Sequence, residues 1–303
     1  MNQILQSIPT ILMIVAPILI TAIGGMICER SGVVNIALEG LMGLGGCAAA
    51  AAQTLLEASG MSNNLSVFTA LVIGALVGCL FSLIHAVAAI NLNADQTISG
   101  TGINLLATGV TIFASQILFN ADRTKEFRLG MHTDKIGMYP SVYIAAVVVI
   151  LSWFILYKLP FGMHLRACGE HPAAAESVGI NVRKIRYIAV LTSGLLGGLA
   201  GGCVVLTQTI QYTSATINGR GFIALAAVSF GRWTPLGVTG ASLLFGTAQA
   251  FTVIATNFPS LKAIPTEVFN LFPYLITLIA LVLFSGKNYA PASDGKPYVK
   301  GAS

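Results

Sequence analysis

Six polar side chains recur within one apolar stretch: Thr97, Thr101, Asn104, Thr108, Thr111 and Ser115. Their spacings alternate between four and three residues, which puts all six on one face of a helix. Residues 235–256 repeat the pattern with Thr239, Ser242, Gly246, Gln249, Thr252 and Thr256. Ser31, Asn35 and Glu39 step by four, and Glu39 is the only carboxylate well inside an apolar run. Groups of this kind can exchange hydrogen bonds with a passing solute rich in hydroxyls or amides. They can equally bond one helix to the next. A single threonine favours the second use; two six-membered stripes at helical period favour the first. Glu39 has two roles open to it: pairing with a helix end or backbone amides, or touching the solute.

Bond-making chemistry finds no footing. No G-x-x-x-x-G-K-[ST] cradle for ATP phosphates occurs, nor H-E-x-x-H, nor G-x-S-x-G. His164, Cys168 and His171 have the i, i+4, i+7 spacing of metal ligands on a helix face. Gly169 and Pro172 interrupt such a helix, and a fourth ligand is missing, so no metal is expected. His85 stands alone on an apolar face and reads as a packing histidine. Cys28, Cys47, Cys79, Cys168 and Cys203 read as small packing residues with no disulfide framework. The chain is expected not to be an enzyme.

The elements that must carry these residues follow from composition. Of 303 residues, 55% are hydrophobic and only 9% charged, against about 25% charged in a soluble domain. Mean hydropathy is +0.81. These values exclude a soluble enzyme and a disordered chain, and they predict an all-α, polytopic transmembrane helix bundle. The net charge of +5 reflects basic cytoplasmic loops, with no nucleic-acid partner expected.

A membrane span needs about 20 mostly apolar residues. Eight segments qualify: 9–27, 33–53, 65–90, 96–119, 140–158, 187–210, 235–256 and 265–285. The first lacks a basic leader region and reads as a span rather than a cleaved signal. Residues 221–231 alone give only about 16 Å of helix against a ~30 Å hydrocarbon layer; extended back to Thr213, the segment crosses or re-enters. Charge favours crossing. With nine spans and the N-terminus outside, ten basic residues fall inside and five outside, as the positive-inside rule asks. The predicted organisation is a membrane domain over 1–286 with a cytoplasmic loop at 158–186. A polar, disordered cytoplasmic tail follows at 287–303. Gly194, Gly198 and Gly202, with Gly197 and Gly201, form a small-xxx-small pattern for close helix contact.

Within the loop, Pro172 opens a helical stretch that Gly179 stops. Glu170–Ile185 (EHPAAAESVGINVRKI) resembles the coupling loop of permease subunits of ABC importers, in the branch for simple sugars, nucleosides and branched-chain amino acids. Glu29–Gly40 (ERSGVVNIALEG), Gln96–Gly109 (QTISGTGINLLATG) and Gly219–Trp233 (GRGFIALAAVSFGRW) resemble its nucleoside-type, basic-membrane-protein-associated members. The resemblance spans about Ile11 to Leu283.

The resemblance implies a permease in the bacterial plasma membrane, in contact with lipid. A second, non-identical permease subunit completes the pore. Two cytoplasmic ATPases bind the ATP, so this chain needs no cofactor. An extracytoplasmic solute-binding protein delivers the cargo. Ribose-type relatives carry one further N-terminal span, so this chain reads as the shorter member of a pair. The resemblance also makes Gly169, Glu170, His171, Pro172, Ala173, Ala174, Ala175, Glu176, Ser177, Gly179 and Ile180 the ATPase contact, with the Ala173–Ala175 face in the ATPase cleft. Asn35, Glu39, Thr97, Thr101, Asn104, Thr108, Thr111 and Gln249 are the expected translocation path. A sugar or branched-chain amino-acid permease is the neighbouring alternative. An ATP-independent carrier or channel is the alternative of another class.

Overall fold

Glycines at four-residue spacing let two helix backbones touch, and this chain builds its centre that way. The computed structural model describes residues 2–134, 137–255 and 289–299, with isolated positions between 271 and 282. The described elements are helical: α1 (Asn2–Glu29), α2 (Leu38–Ala58), α3 (Asn63–Ala86, running on as a wider turn over Val87–Asn91) and α4 (Gln96–Phe119). They continue with α5 (Pro140–Lys158), α6 (Pro160–Glu170), α7 (Pro172–Ser177), α8 (Val182–Gln208), α9 (Arg220–Phe230) and α10 (Pro235–Ala255).

The axis of the bundle is α8, which packs against α1, α2 and α3. A Cβ on Gly198 would lie 2.3 Å from the Gly74 carbonyl of α3, and one on Gly201 only 1.9 Å from the Met42 carbonyl of α2. These positions therefore admit glycine alone. The small-residue pattern is a three-helix seam.

Six described helices are long and apolar enough to cross a membrane: 7–29, 63–91, 96–119, 140–158, 182–208 and 235–254. The 21-residue α2 is rich in Gly and Ala, carries Glu39 and falls below that apolarity. The expected span at 265–285 lies largely outside the described residues. The 213–231 stretch is helical only over the 11 residues of α9. Outer faces carry large apolar side chains, such as Leu105 at 78% exposure and Phe68 at 65%, a surface suited to lipid or a partner helix.

Two ends can be told apart by contacts. At one, the loop end, the Arg30 guanidinium and Glu29 carboxylate bracket Trp233: Arg30 Nε donates to its carbonyl at 2.8 Å, and its indole donates to Glu29 at 2.5 Å. The α6–α7 segment sits here too, with Gly169 against Arg30 and Gly32. At the opposite end, the 120–134 loop meets the end of α8. Phe127 N donates to the Ile210 carbonyl (2.9 Å), Met131 N to Leu206 (2.8 Å), and Tyr212 N to the Thr124 hydroxyl (2.9 Å).

The 158–186 loop holds more structure than its sequence announces. The Pro172–Ser177 helix forms as expected, with Gly179 at φ +86° ending it. Residues 160–170 form a further helix, α6, with Pro160 in its first turn and Leu165 and Cys168 buried. The described tail residues, 289–299, form turns with no helix or strand, and the Ser293 amide donates to the Gly169 carbonyl at 2.9 Å. Pro291 is buried, and the Ala292 amide donates to the Glu170 carboxylate at 3.3 Å.

Candidate functional site

Where α2 packs against α4 and α9, polar groups gather inside the bundle. The chain between α8 and α9 runs irregularly over 209–219, leaving the start of α9 at depth. The first amides of a helix have no partner within it, and in an apolar layer they must find one. Glu39, in the first turn of α2, supplies it. One carboxylate oxygen accepts from Gly219 N and the other from Gly221 N, each at 2.7 Å. A Cβ on Gly221 would lie 2.4 Å from Glu39 N, so the glycine is what lets the two backbones meet. Of the two roles open to Glu39, the structure shows the pairing with a helix start.

Arg220 lies between these amides. Its Nη1 donates to the Thr216 carbonyl at 2.7 Å and its Nη2 to Gln208 of α8 at 2.8 Å. Gln208 in turn donates to the Met13 carbonyl of α1 at 3.1 Å. Arg220, Gln208, Thr216 and the two glycine amides are functional candidates that spacing did not reveal. The available signal was an arginine between paired glycines at the head of an apolar run, with a lone carboxylate far back in the sequence.

The six-residue stripe on α4 divides. Asn104 clips α4 to the start of α2, accepting from Gly40 N (2.8 Å) and donating to the Ile36 carbonyl (2.9 Å). Thr111 and Ser115 are buried against α2. Thr97, Thr101 and Thr108 are exposed, and the last two bond only carbonyls of their own helix. Gly102 and Gly109 face open space. The helix rests mainly on α2, so its threonine edge stands open.

Two further groups expected on the path have packing partners. Asn35 is fully buried, donating to the Ser193 hydroxyl (2.9 Å) and accepting from Ala37 N (3.1 Å); it ties the α1–α2 turn to α8. The α10 stripe packs onto α1: a Cβ on Gly246 would lie 3.0 Å from Val15 Cα, and Ser242 is fully buried. Gln249 shares that helix, away from the α2–α4 edge, and is half-buried. Thr256 lies outside the described residues.

At the loop end, α7 presents Ala173, Ala174, Ser177 and Val178 outward, Val178 at 75% exposure. Ala175 turns inward at 3% and packs in the core, so the exposed face is Ala173–Ala174 rather than all three alanines. His171 caps this helix, its Nδ1 accepting from Ala174 N at 3.1 Å. The ring thus has a structural partner, and no group of three metal-binding side chains occurs among the described residues. Cys168 packs in the core, and burial pushes its thiol up to about 11. His85 is likewise satisfied, between the Ser99 hydroxyl (3.0 Å) and the Val34 carbonyl (2.9 Å).

The sequence profile of the family described as branched-chain amino acid transport system / permease component matches residues 7–281. The chain belongs to this family. The permease is 43% identical to the guanosine ABC transporter permease protein NupQ of Bacillus subtilis, over 99% of this chain and 98% of that one. It is 38% identical to the nucleoside ABC transporter permease protein NupC of Lactococcus lactis, over 94% and 93%. A second Bacillus subtilis chain, the guanosine ABC transporter permease protein NupP, matches at 26% identity over 91% and 80%. The permease is an integral, multi-pass protein of the plasma membrane.

Proposed function

We propose that the permease is one of two non-identical membrane subunits of an ATP-driven importer for nucleosides. One observation carries the solute class: 43% identity to a guanosine permease across nearly the whole of both chains. The non-identical partner is supported by the second Bacillus subtilis chain named for the same solute. Two cytoplasmic ATPases, which bind the ATP, and an extracytoplasmic solute-binding protein complete the complex. The chain itself makes and breaks no bond.

The loop end faces the cytoplasm in this reading. Among the described residues it carries Arg30, Lys158, Arg166, Arg183, Lys184, Arg186, Arg232 and Lys296, against Arg123, Lys125 and Arg128 at the opposite end, in keeping with the positive-inside rule. Nine crossings follow, with the N-terminus outside. The 209–231 segment returns from Tyr212 beside Thr124 to Trp233 beside Glu29. Ile254 packs with Ile14 of α1, while Ser293 lies at Gly169; the ninth span, expected at 265–285, falls largely outside the described residues.

Cargo passes along the open edge of α4, meeting Thr97, Thr101 and Thr108, with Glu39, Asn104 and Thr111 shaping its wall. An ATPase subunit grips residues 169–180, chiefly through Ala173, Ala174 and Val178. Its movement passes by α6 and α8 to the α1–α2 turn, and from there through Glu39 to α9.

Uptake of labelled guanosine, ribose and leucine by cells expressing the complete transporter tests the solute class. Guanosine uptake, competed by other nucleosides and lost on deleting the permease, is expected. Permease-dependent uptake of ribose or leucine without guanosine would overturn it.

A further inference from the structure

A helix of six residues does not hold its shape in water, since isolated helices shorter than about 12–15 residues are marginal. The α7 helix is that short, so tertiary contacts must fix it. Ala175 anchors it from below. α6 and α8 flank it, and a further anchor is the 289–299 segment, which crosses the loop end as a strap. The Ser293 amide donates to Gly169 and its hydroxyl to the Glu170 carbonyl at 3.3 Å, while the Ala292 amide donates to the Glu170 carboxylate at 3.3 Å.

Arg186 is the keystone of this contact. It is 1% exposed. Its Nε donates to the Ser31 carbonyl at 3.2 Å and its Nη1 to the Lys296 carbonyl at 3.3 Å. The guanidinium also lies over the Tyr298 ring, 5.8 Å from its centre, and the Tyr298 hydroxyl donates to Glu176 of α7. One arginine therefore joins the α1–α2 turn, the start of α8 and the tail. Beside it opens a polar cavity of about 430 Å³, lined by Glu176, Ile180, Asn181, Arg183 and Tyr298. Glu176 of α7, with Gly179 and Ile180, puts this cavity at the edge of the 169–180 stretch, and exposed Arg183 sets a cation in its wall.

We infer that residues 289–299 are part of the ATPase-docking surface: the strap holds α7 in place, and Tyr298 walls a cavity that receives a polar, carboxylate-bearing segment of the ATPase subunit. The inference rests on the reading of α7 as the ATPase contact. It adds a second element to that contact, drawn from the far end of the chain. It also makes the tail a mechanical link, since force on α7 reaches Ser31 through Tyr298 and Arg186.

The test uses the complete permease pair in nanodiscs, titrated with labelled ATPase subunits. Three variants are compared: Ala174→Trp, Tyr298→Ala and a chain ending at residue 288. Ala174→Trp blocks the α7 face and should abolish binding. Tyr298→Ala should weaken binding about tenfold, as loss of an interface aromatic does. The truncated chain should bind more weakly still and show faster amide exchange over 172–178. Wild-type affinity and unchanged α7 exchange in both tail variants, with Ala174→Trp inactive, would overturn the inference and leave the α7 reading standing. Normal binding by Ala174→Trp would overturn both. Should the truncated chain fail to insert, Tyr298→Ala decides alone.

Discussion

The Glu39 carboxylate accepts a 2.7 Å hydrogen bond from the amide of Gly221, 182 positions further along the chain. With its twin from Gly219, it fastens the start of α9 to the first turn of α2. A carboxylate at a helix start satisfies orphan amides and complements the positive end of the helix dipole. The same glutamate therefore supports the fold and borders the proposed path. Movement of α2 carries α9 with it.

Replacing that carboxylate by an amide removes one acceptor and points a donor at a donor. Glu39→Gln should cost roughly 1–3 kcal/mol, the range for a buried donor left unpaired, and lower nucleoside uptake. Thermal unfolding in detergent, read beside transport, checks this. Full uptake with an unchanged midpoint would show that the clasp does not matter.

The glycine seam makes a sharper stability prediction. Gly198→Ala places a methyl 2.3 Å from the Gly74 carbonyl, so α3 and α8 must part. Overpacking of this kind costs about 1–3 kcal/mol, and expression and unfolding midpoint should both fall. Gly102→Ala, with nothing within 4 Å of the new methyl, should leave the isolated chain as stable as before or slightly more so.

Periodicity made the helices legible, and 96–119 and 140–158 appear with those bounds, because spans of one type repeat a simple hydrophobic rule. The glycine run was legible for the same reason: close packing needs small residues wherever the partner lies. The split of the α4 stripe was not legible. Thr101 and Thr111 share a face, but only the position of α2 decides that one is open and the other buried. The packing of Gly246 and Ser242 in the α10 stripe against the bundle was not legible either, because small residues serve packing as readily as passage. The Glu39 clasp and the Arg186 keystone join positions 180 and 110 residues apart, and no local pattern encodes such a pairing. The tail reads as disordered by composition; its contacts come from the surface it meets.

The tail contact should depend on pH. Burial pushes the Asp294 carboxyl up to about 7, with the Gly295 amide and the Arg186 guanidinium pulling the other way. A raised carboxyl binds its proton more tightly in the docked tail than in the free one, so docking weakens as pH rises toward about 7 and levels off above it. Amide exchange over 289–299, corrected for its intrinsic pH dependence, should show greater protection at pH 5.5 than at pH 7.5. Asp294→Asn should flatten that difference.

Sidedness can be read with a membrane-impermeant thiol reagent. The native thiols are buried or, for Cys79, half-buried. Glu126→Cys, on the exposed 120–134 loop, should label in intact cells. Val178→Cys, at the tip of α7, should label only after the membrane is opened. The reverse pattern would invert the topology and place the basic loop end outside.

Accumulation of nucleoside by proteoliposomes, with and without the ATPase subunits, tests the central claim most directly. Vesicles holding both permease subunits, the ATPases, ATP and the binding protein should concentrate labelled guanosine against its gradient, and omitting either ATP or the ATPases should abolish this. Uphill accumulation by the permease alone, with no nucleotide present, would contradict the account.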